Sequence, residues 1–517
     1  MLKRMLKRKV ITSLVPVVAV AALLVGASLA PSRGAFNANL AACVGYGYAY
    51  GGGATLATVM NVSPNSGTTG GGTVVFITGS GFCNVTSAVN FGATAAASYV
   101  VLSDTSIRAV SPAHAAGGVD VTVTNGVGTS ATSAFDVYTF VTPVPSVYTA
   151  LTPQRIADTR TNGTTLGQGG SLVLAIGGIY VPANATAVSL NVTAVDQSTA
   201  GFFTVYPTGG AAPTASNLNW LPGETIPNLV VVALSAGGDV TIFNGLGSAD
   251  AVVDLEGYFA PPTTSTAGEF VPVVPFRLTD TRAASGGINA GKTLAAGATL
   301  NIQATGVVGS GVPFGGVSAV VLNVTAVDQT ANGFFTVYPT GSALPVASNL
   351  NWTPGVTVPN RVIVPIGTGG QVSVYNGLGS ADAVVDVNGY FTDSTASGAH
   401  FTPLFPSRIK DTRNGPGSIG KVGPASTTPL AVWLAGGVPT GATAVILNVT
   451  VADATLESDL IVYPGDATQP VASDLNFLAG ETVPNLVVVK LSATGTINIY
   501  NPFGSTNVIV DVVGYFM

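Results

Sequence analysis

Charge is scarce in this sequence. Charged residues occupy 8% of its 517 positions, against about 25% in an ordinary soluble protein, which excludes long solvated helices carrying Lys and Glu. Two Cys and two His are too few for a zinc cluster, an iron–sulfur centre or a disulfide-stapled miniprotein, so no metal or other cofactor is expected. His114 and His400 lie in turn-like segments far from each other and from any Cys, and neither supports a catalytic triad. No run of basic residues follows Lys9. Binding to nucleic acid by counterion release needs clustered Lys and Arg, so nucleic acid and anionic membrane surfaces are poor partners. Beyond residue 30 no apolar stretch is long enough to span a bilayer.

What is abundant is Gly (65) and Pro (32), beside 47% hydrophobic residues. That combination describes short buried strands joined by turns rather than disorder. The fold class expected is all-β, and the length suits three to five domains.

At the N-terminus Lys3, Arg4, Lys7, Arg8 and Lys9 precede an apolar run over residues 10–30, the charged and hydrophobic regions of an export signal. Three fates stay open: cleavage near Ser28-Leu29-Ala30, retention as an anchor, or lipidation at Cys43 within Leu40-Ala41-Ala42-Cys43. Each places the protein outside the cytoplasm, secreted or at the cell surface, where Cys43 and Cys83 are free to form a disulfide. Without the five basic residues of the n-region, 13 basic face 24 acidic side chains.

The chain divides into a signal or anchor at 1–30, a Gly/Tyr-rich linker at 31–56, a first domain at 57–141, and three repeats at 145–260, 269–392 and 400–517. The first domain carries Ser63-Pro64-Asn65-Ser66-Gly67, Gly71-Gly72-Thr73-Val74-Val75-Phe76-Ile77-Thr78-Gly79-Ser80-Gly81-Phe82 and Val89-Asn90-Phe91-Gly92. This wording resembles the IPT/TIG family. The resemblance implies an Ig-like β-sandwich that spaces or presents other domains and has no catalytic residues of its own.

Each repeat opens on an Arg-x-x-Asp-Thr-Arg phrase: Arg155, Asp158 and Arg160, then Arg277, Asp280 and Arg282, then Arg408, Asp411 and Arg413. Each contains Leu-Asn-Val-Thr, at Asn191, Asn323 and Asn448, and each closes on Gly-Tyr-Phe, at Phe259, Phe391 and Phe516. From that Asn to the closing Asp254, Asp386 or Asp511 is 63 residues every time, whereas the Gly-rich segment before the Asn varies in length. The constant part predicts a rigid sandwich or jelly roll of eight or nine strands, and the variable part a surface excursion. Each repeat is long enough for a core of its own, so independent folding is expected over a single three-fold body. The repeats resemble those of exported bacterial surface and cell-wall-associated proteins.

Triplication supplies an internal test, because a residue kept in all copies serves the unit. The kept polar set includes the Arg/Asp/Arg cluster, Asn191, Ser216, Asn219, Asn228 and Asn244 with their counterparts. Asp158 and Arg160 share one face of an extended strand, with Arg155 opposite unless a bulge intervenes. The cluster reads first as a structural ion-pair network and second as a ligand site. Asp158 with Asp254 imitates a glycosidase pair, but three tandem copies, each with Arg available, argue against catalysis. Trp220 and Trp352, replaced by Phe477 in the third repeat, suit a sugar platform or, equally, a core strand. The loop 244–250 and its copy 376–382 offer oxygens for calcium, though Asn-Gly is more simply a hairpin turn.

These features describe a non-catalytic exported surface or matrix protein whose modules bind glycan or cell-wall components, or assemble. A secreted enzyme of glycan metabolism with accessory domains, and a purely structural stalk, are the alternatives. The sequence sets no oligomeric state.

Overall fold

The computed structural model describes residues 55–517 except 85, 210–211, 264 and 414–417. The apolar N-terminal run, Cys43 and nearly all of the Gly/Tyr linker lie outside the described residues. The fold is all-β, as short Val-, Ile- and Phe-rich segments bounded by Gly and Pro require.

Residues 57–141 form a two-sheet sandwich around Val75, Ile77, Phe91, Ile107, Val121 and Tyr138. Within it, Cys83 is disulfide-bonded.

Each repeat is a sandwich of two four-stranded antiparallel sheets. In the first repeat one sheet runs Val147–Asp158, Asp250–Ala260, Ala187–Val195, Ile226–Ala233; the other runs Ser171–Ala175, Asp239–Asn244, Gly201–Pro207, Leu218–Trp220. The other two repeats reproduce both orders. Each has its own core, built in the first from Val188, Leu190, Val192, Phe203, Ile242 and Val253.

Two local expectations need correction. The variable Gly-rich segment is not all surface excursion: it contains the edge strand Ser171–Ala175, and buried Leu166, Leu294 and Val422 bridge to Ala249, Ala381 and Thr506. The Asn-Gly segment 244–250 is not a hairpin either, since the strands on its two sides belong to different sheets. It is an arch, closed by the Asn244 side-chain amide donating to the carbonyls of Leu166 and Gly247.

The central strands of each inner sheet are buried on both faces, and all nine residues of Ala187–Val195 and of Ala444–Ala452 are buried. One face covers the repeat's own core. The other meets the remaining two repeats in a shared core containing Leu229, Val231, Val321, Ile363, Ile446 and Val488. At one end of this core six aromatic rings close a cycle: Tyr148 lies 4.5 Å from Phe391, Phe270 4.2 Å from Phe516, and Phe401 4.2 Å from Phe259. Each pair joins two different repeats. The closing Gly of Gly-Tyr-Phe makes room for them, because a Cβ at Gly389 or Gly514 would stand 2.3 Å from the ring of Phe270 or Phe401. The three repeats therefore form one pseudo-three-fold body with four cores: the core expected in each repeat is present, and a fourth is shared by all three.

Hydrogen bonds repeat the same cycle. Asn191 donates to the Ser348 carbonyl, Asn323 to Ser473 and Asn448 to Ser216, each at 2.7 Å. In return Asn360 donates to Asn191 Oδ1, Asn485 to Asn323 Oδ1 and Asn228 to Asn448 Oδ1. These amides are buried, and mutual pairing removes the cost of burying them unpaired.

Candidate functional site

The Arg/Asp/Arg cluster forms the same network in every copy. Arg155 reaches across to Asp254 in a bidentate pair at 2.6 and 3.1 Å, while its other amino group lies 3.4 Å from Asp158. A bulge between Arg155 and Ala157 turns the strand so that Arg155 and Asp158 meet despite their spacing. Asp158 then caps a one-turn helix, Thr159–Asn162, and Arg160 on that turn folds back to it at 2.7 Å. Arg160 thus lies on a helical turn rather than on the strand.

Arg277, Asp280, Arg282 and Asp386 repeat this geometry, as do Arg408, Asp411, Arg413 and Asp511. The hydrogen bond from Arg160 holds Asp158 below the ordinary carboxylate range, whereas burial raises Asp254 against the pull of Arg155. Such divergence is what acid–base pairs use. Here, however, the guanidinium of Arg155 lies between the two carboxyls and Asp254 is 1% exposed. The network's outward contact is structural: Arg155, Arg277 and Arg408 donate to the carbonyls of Val346, Val471 and Thr214 on the neighbouring repeat. The kept residues staple repeat to repeat.

Trp220 and Trp352 pack edge-on against Phe203 and Phe335 within the cores, 4% and 5% exposed. Their indole N–H groups donate to the carbonyls of Thr199 and Ala331. Both rings are thus almost wholly buried, and of the two only Trp220 also borders the axial cavity described below. The arches 244–250 and 376–382 hold no group of three metal-ligating side chains, nor is there one elsewhere among the described residues.

One interface carries charge through the shared core. Arg361 is fully buried and donates to Asp474 of the third repeat at 2.6 Å, to the Leu486 carbonyl at 3.0 Å and to Asn388. The equivalent positions are Leu229 and Leu486 for the arginine, and Asn217 and Asn349 for the aspartate. At the first-to-second interface buried Glu256 accepts a 2.7 Å hydrogen bond from Asn349. Burial first, and then the charge of Asp254, push its carboxyl up to about 8.

A cavity of about 320 Å³ opens at the end of the axis away from the aromatic ring cluster, and all three repeats line it. Its apolar wall comes from equivalent positions: Ile226, Val358 and Val483, with Pro227, Pro359 and Pro484. Leu221 and Leu246 flank it, about half exposed. Polar groups enter asymmetrically. Glu224 and Glu481 line it, with Val356 at the third equivalent position, and Asn219 and Asn476 add amides whose oxygens are taken by Ser216 and Ser473. One carboxylate oxygen of each Glu accepts from the backbone, at Leu221 and Leu478. Burial raises Glu224 above the ordinary range, and the charge of Glu481 raises it further. Of the residues singled out in the sequence, Asn219 and Trp220 line this cavity; Glu224 escapes a search for triplicate residues because Val356 breaks its triplet.

Residues 57–140 match the family model of the IPT/TIG domain, so this segment is an IPT/TIG domain. No curated protein matches the sequence. Among solved structures, the chain is similar to SGBP-B from a xyloglucan utilization locus of Bacteroides uniformis at 12% identity, covering 66% of this chain and 100% of that one, TM-score 0.17. It is also similar to the tandem CBM22 domains of Paenibacillus barcinonensis Xyn10C at 12% identity, covering 48% and 97%, TM-score 0.15. A triple jelly-roll protein of an archaeal virus turret aligns at 8% identity over 72% and 90%, TM-score 0.17. At these scores none of the likenesses carries a function to this chain.

Proposed function

We propose that this chain is an exported, non-catalytic surface protein that binds glycans through the axial cavity, its three repeats acting as one binding body beside the IPT/TIG domain. The cavity carries this reading. Its volume falls in the range of small-molecule sites, and its mostly apolar wall with a few convergent amides and carboxylates is the usual composition of such sites. A pyranose has the matching character, with an apolar face and a rim of hydroxyls that need partners. The non-catalytic reading is supported by the Asp158, Arg155, Asp254 arrangement, in which each carboxyl of the glycosidase-like pair is held by a guanidinium. The reading gives one site per chain, built where the three repeats converge.

The test is calorimetric titration of the full chain with soluble oligosaccharides. Val356→Trp should fill the cavity and abolish binding, and a bulky side chain is tolerated there because the equivalent residues are Glu224 and Glu481. Trp352→Phe, which is not among the cavity-lining residues and copies Phe477, should leave binding unchanged. Retained binding in Val356→Trp would overturn the axial site.

A further inference from the structure

The asymmetry of the cavity says what kind of ligand it takes. Two of its three equivalent positions carry carboxylates, Glu224 and Glu481, and the third carries Val356. Among the described residues no Lys or Arg lines the cavity, and in a chain where charge is 8% of residues two like charges facing one half-enclosed space stand out. Each keeps one carboxylate oxygen tied to a backbone N–H, which fixes the side chain and leaves the second oxygen for a ligand. The nearby second hollow adds Glu457 beside Thr357 and Asn476, so the acidic sign extends past the rim. Like charges this close repel, and a cation between them converts the repulsion into two attractions. The Ile226, Val358 and Val483 wall and the three prolines then accept an apolar body.

From this charge and shape complementarity, and resting on the glycan reading above, we infer that the ligand carries a protonated amine on a body with an apolar face: an amino sugar left un-acetylated. Acetylation would remove the charge and add bulk, so the site should prefer the free amine. The amides of Asn219 and Asn476 have N–H groups left to donate to ring hydroxyls, since their oxygens accept from Ser216 and Ser473.

The experiment titrates the full chain with glucosamine tetramer, N-acetylglucosamine tetramer, cellotetraose and hexylamine. The expected result is at least about tenfold tighter binding of the glucosamine tetramer than of its acetylated and neutral counterparts. That preference should vanish in Glu224→Gln/Glu481→Gln, a change the neutral Val356 shows the fold accepts. It should also weaken in the native protein as salt rises from about 0.05 to about 0.5 M. Equal affinity for all three saccharides would overturn the cation preference and leave the glycan reading standing. Binding of hexylamine with no saccharide would overturn the glycan reading and the amino-sugar assignment while keeping the cation site. If no probe binds, both fall.

Discussion

Asn448 in the third repeat donates a 2.7 Å hydrogen bond to the carbonyl of Ser216 in the first, 232 residues earlier. This contact closes the ring. The first repeat holds the second through Asn191, the second holds the third through Asn323, and Asn448 returns to the start. The axis so enclosed is packed by aliphatic and aromatic side chains through its middle and at one end, and opens into a cavity at the other.

The buried Arg361–Asp474 pair makes the second-to-third interface different from the other two. Arg361→Leu strands a buried carboxylate and should destabilise by about 3–5 kcal/mol. Adding Asp474→Asn gives this interface the Leu and Asn of its counterparts, and Asn retains the acceptor that Val462 N–H needs. The double variant should return to within about 1 kcal/mol of the native protein, as replacement of a whole buried pair commonly does. Denaturant midpoints of the three proteins check this. A double variant no better than Arg361→Leu would refute it.

Glu256 makes stability depend on pH in the direction opposite to an ordinary ion-paired carboxylate. Its folded pKa of about 8 lies above the ordinary glutamate value of 4.5, so between those values the folded state binds more protons than the unfolded one. Its contribution is complete below the unfolded value and is lost as pH rises through about 8. Glu256→Gln keeps an acceptor for Asn349 and removes the titration. The variant should match the native protein near pH 4.5 and exceed it in unfolding midpoint above about pH 8. Parallel pH profiles for the two proteins would contradict the burial argument.

The variable segment divides sharply. Trimming 284–289 shortens the path from Arg282 to Leu294 to the length of its first-repeat counterpart, and should cost under about 1 kcal/mol because loop entropy changes slowly with length. Leu294→Ala empties a buried core position that bridges to Ala381, and should cost roughly 2–5 kcal/mol. Thermal unfolding of both variants separates loop from core.

The all-β class, an approximate strand number of eight or nine per unit and the set of kept polar residues were legible in the sequence because they depend on local pattern; the edge strand Ser171–Ala175 was not, because it lies in the Gly-rich segment whose length varies between copies. The ring was not. In a closed cycle every copy makes the same contact with the next, so an Asn kept in triplicate looks identical whether it bonds within its repeat or outside it. Two signals were present. Ala187–Val195 lacks the alternation of a half-exposed strand, which implies cover on both faces. Arg361 and Asp474 each interrupt an otherwise uncharged triplet, and their opposite signs mark a pair spanning two repeats. The axial site was hidden for a related reason: Glu224, Val356 and Glu481 are 125 or more residues apart in sequence and meet only where three repeats converge.

The central claim is that three repeats fold as one body, and the sequence supplies its probe. The chain has three Trp, Trp220, Trp352 and Trp433, one in each repeat and none in the IPT/TIG domain. Three variants that each keep one Trp, with Phe at the other two positions, report the unfolding of each repeat separately by fluorescence. With each variant referred to its own far-UV transition to correct for the substitutions, all three repeats should lose structure together in one denaturant transition. Separate midpoints for the three probes, or one repeat melting while the other two keep their native signal, would contradict the shared core and the closed ring.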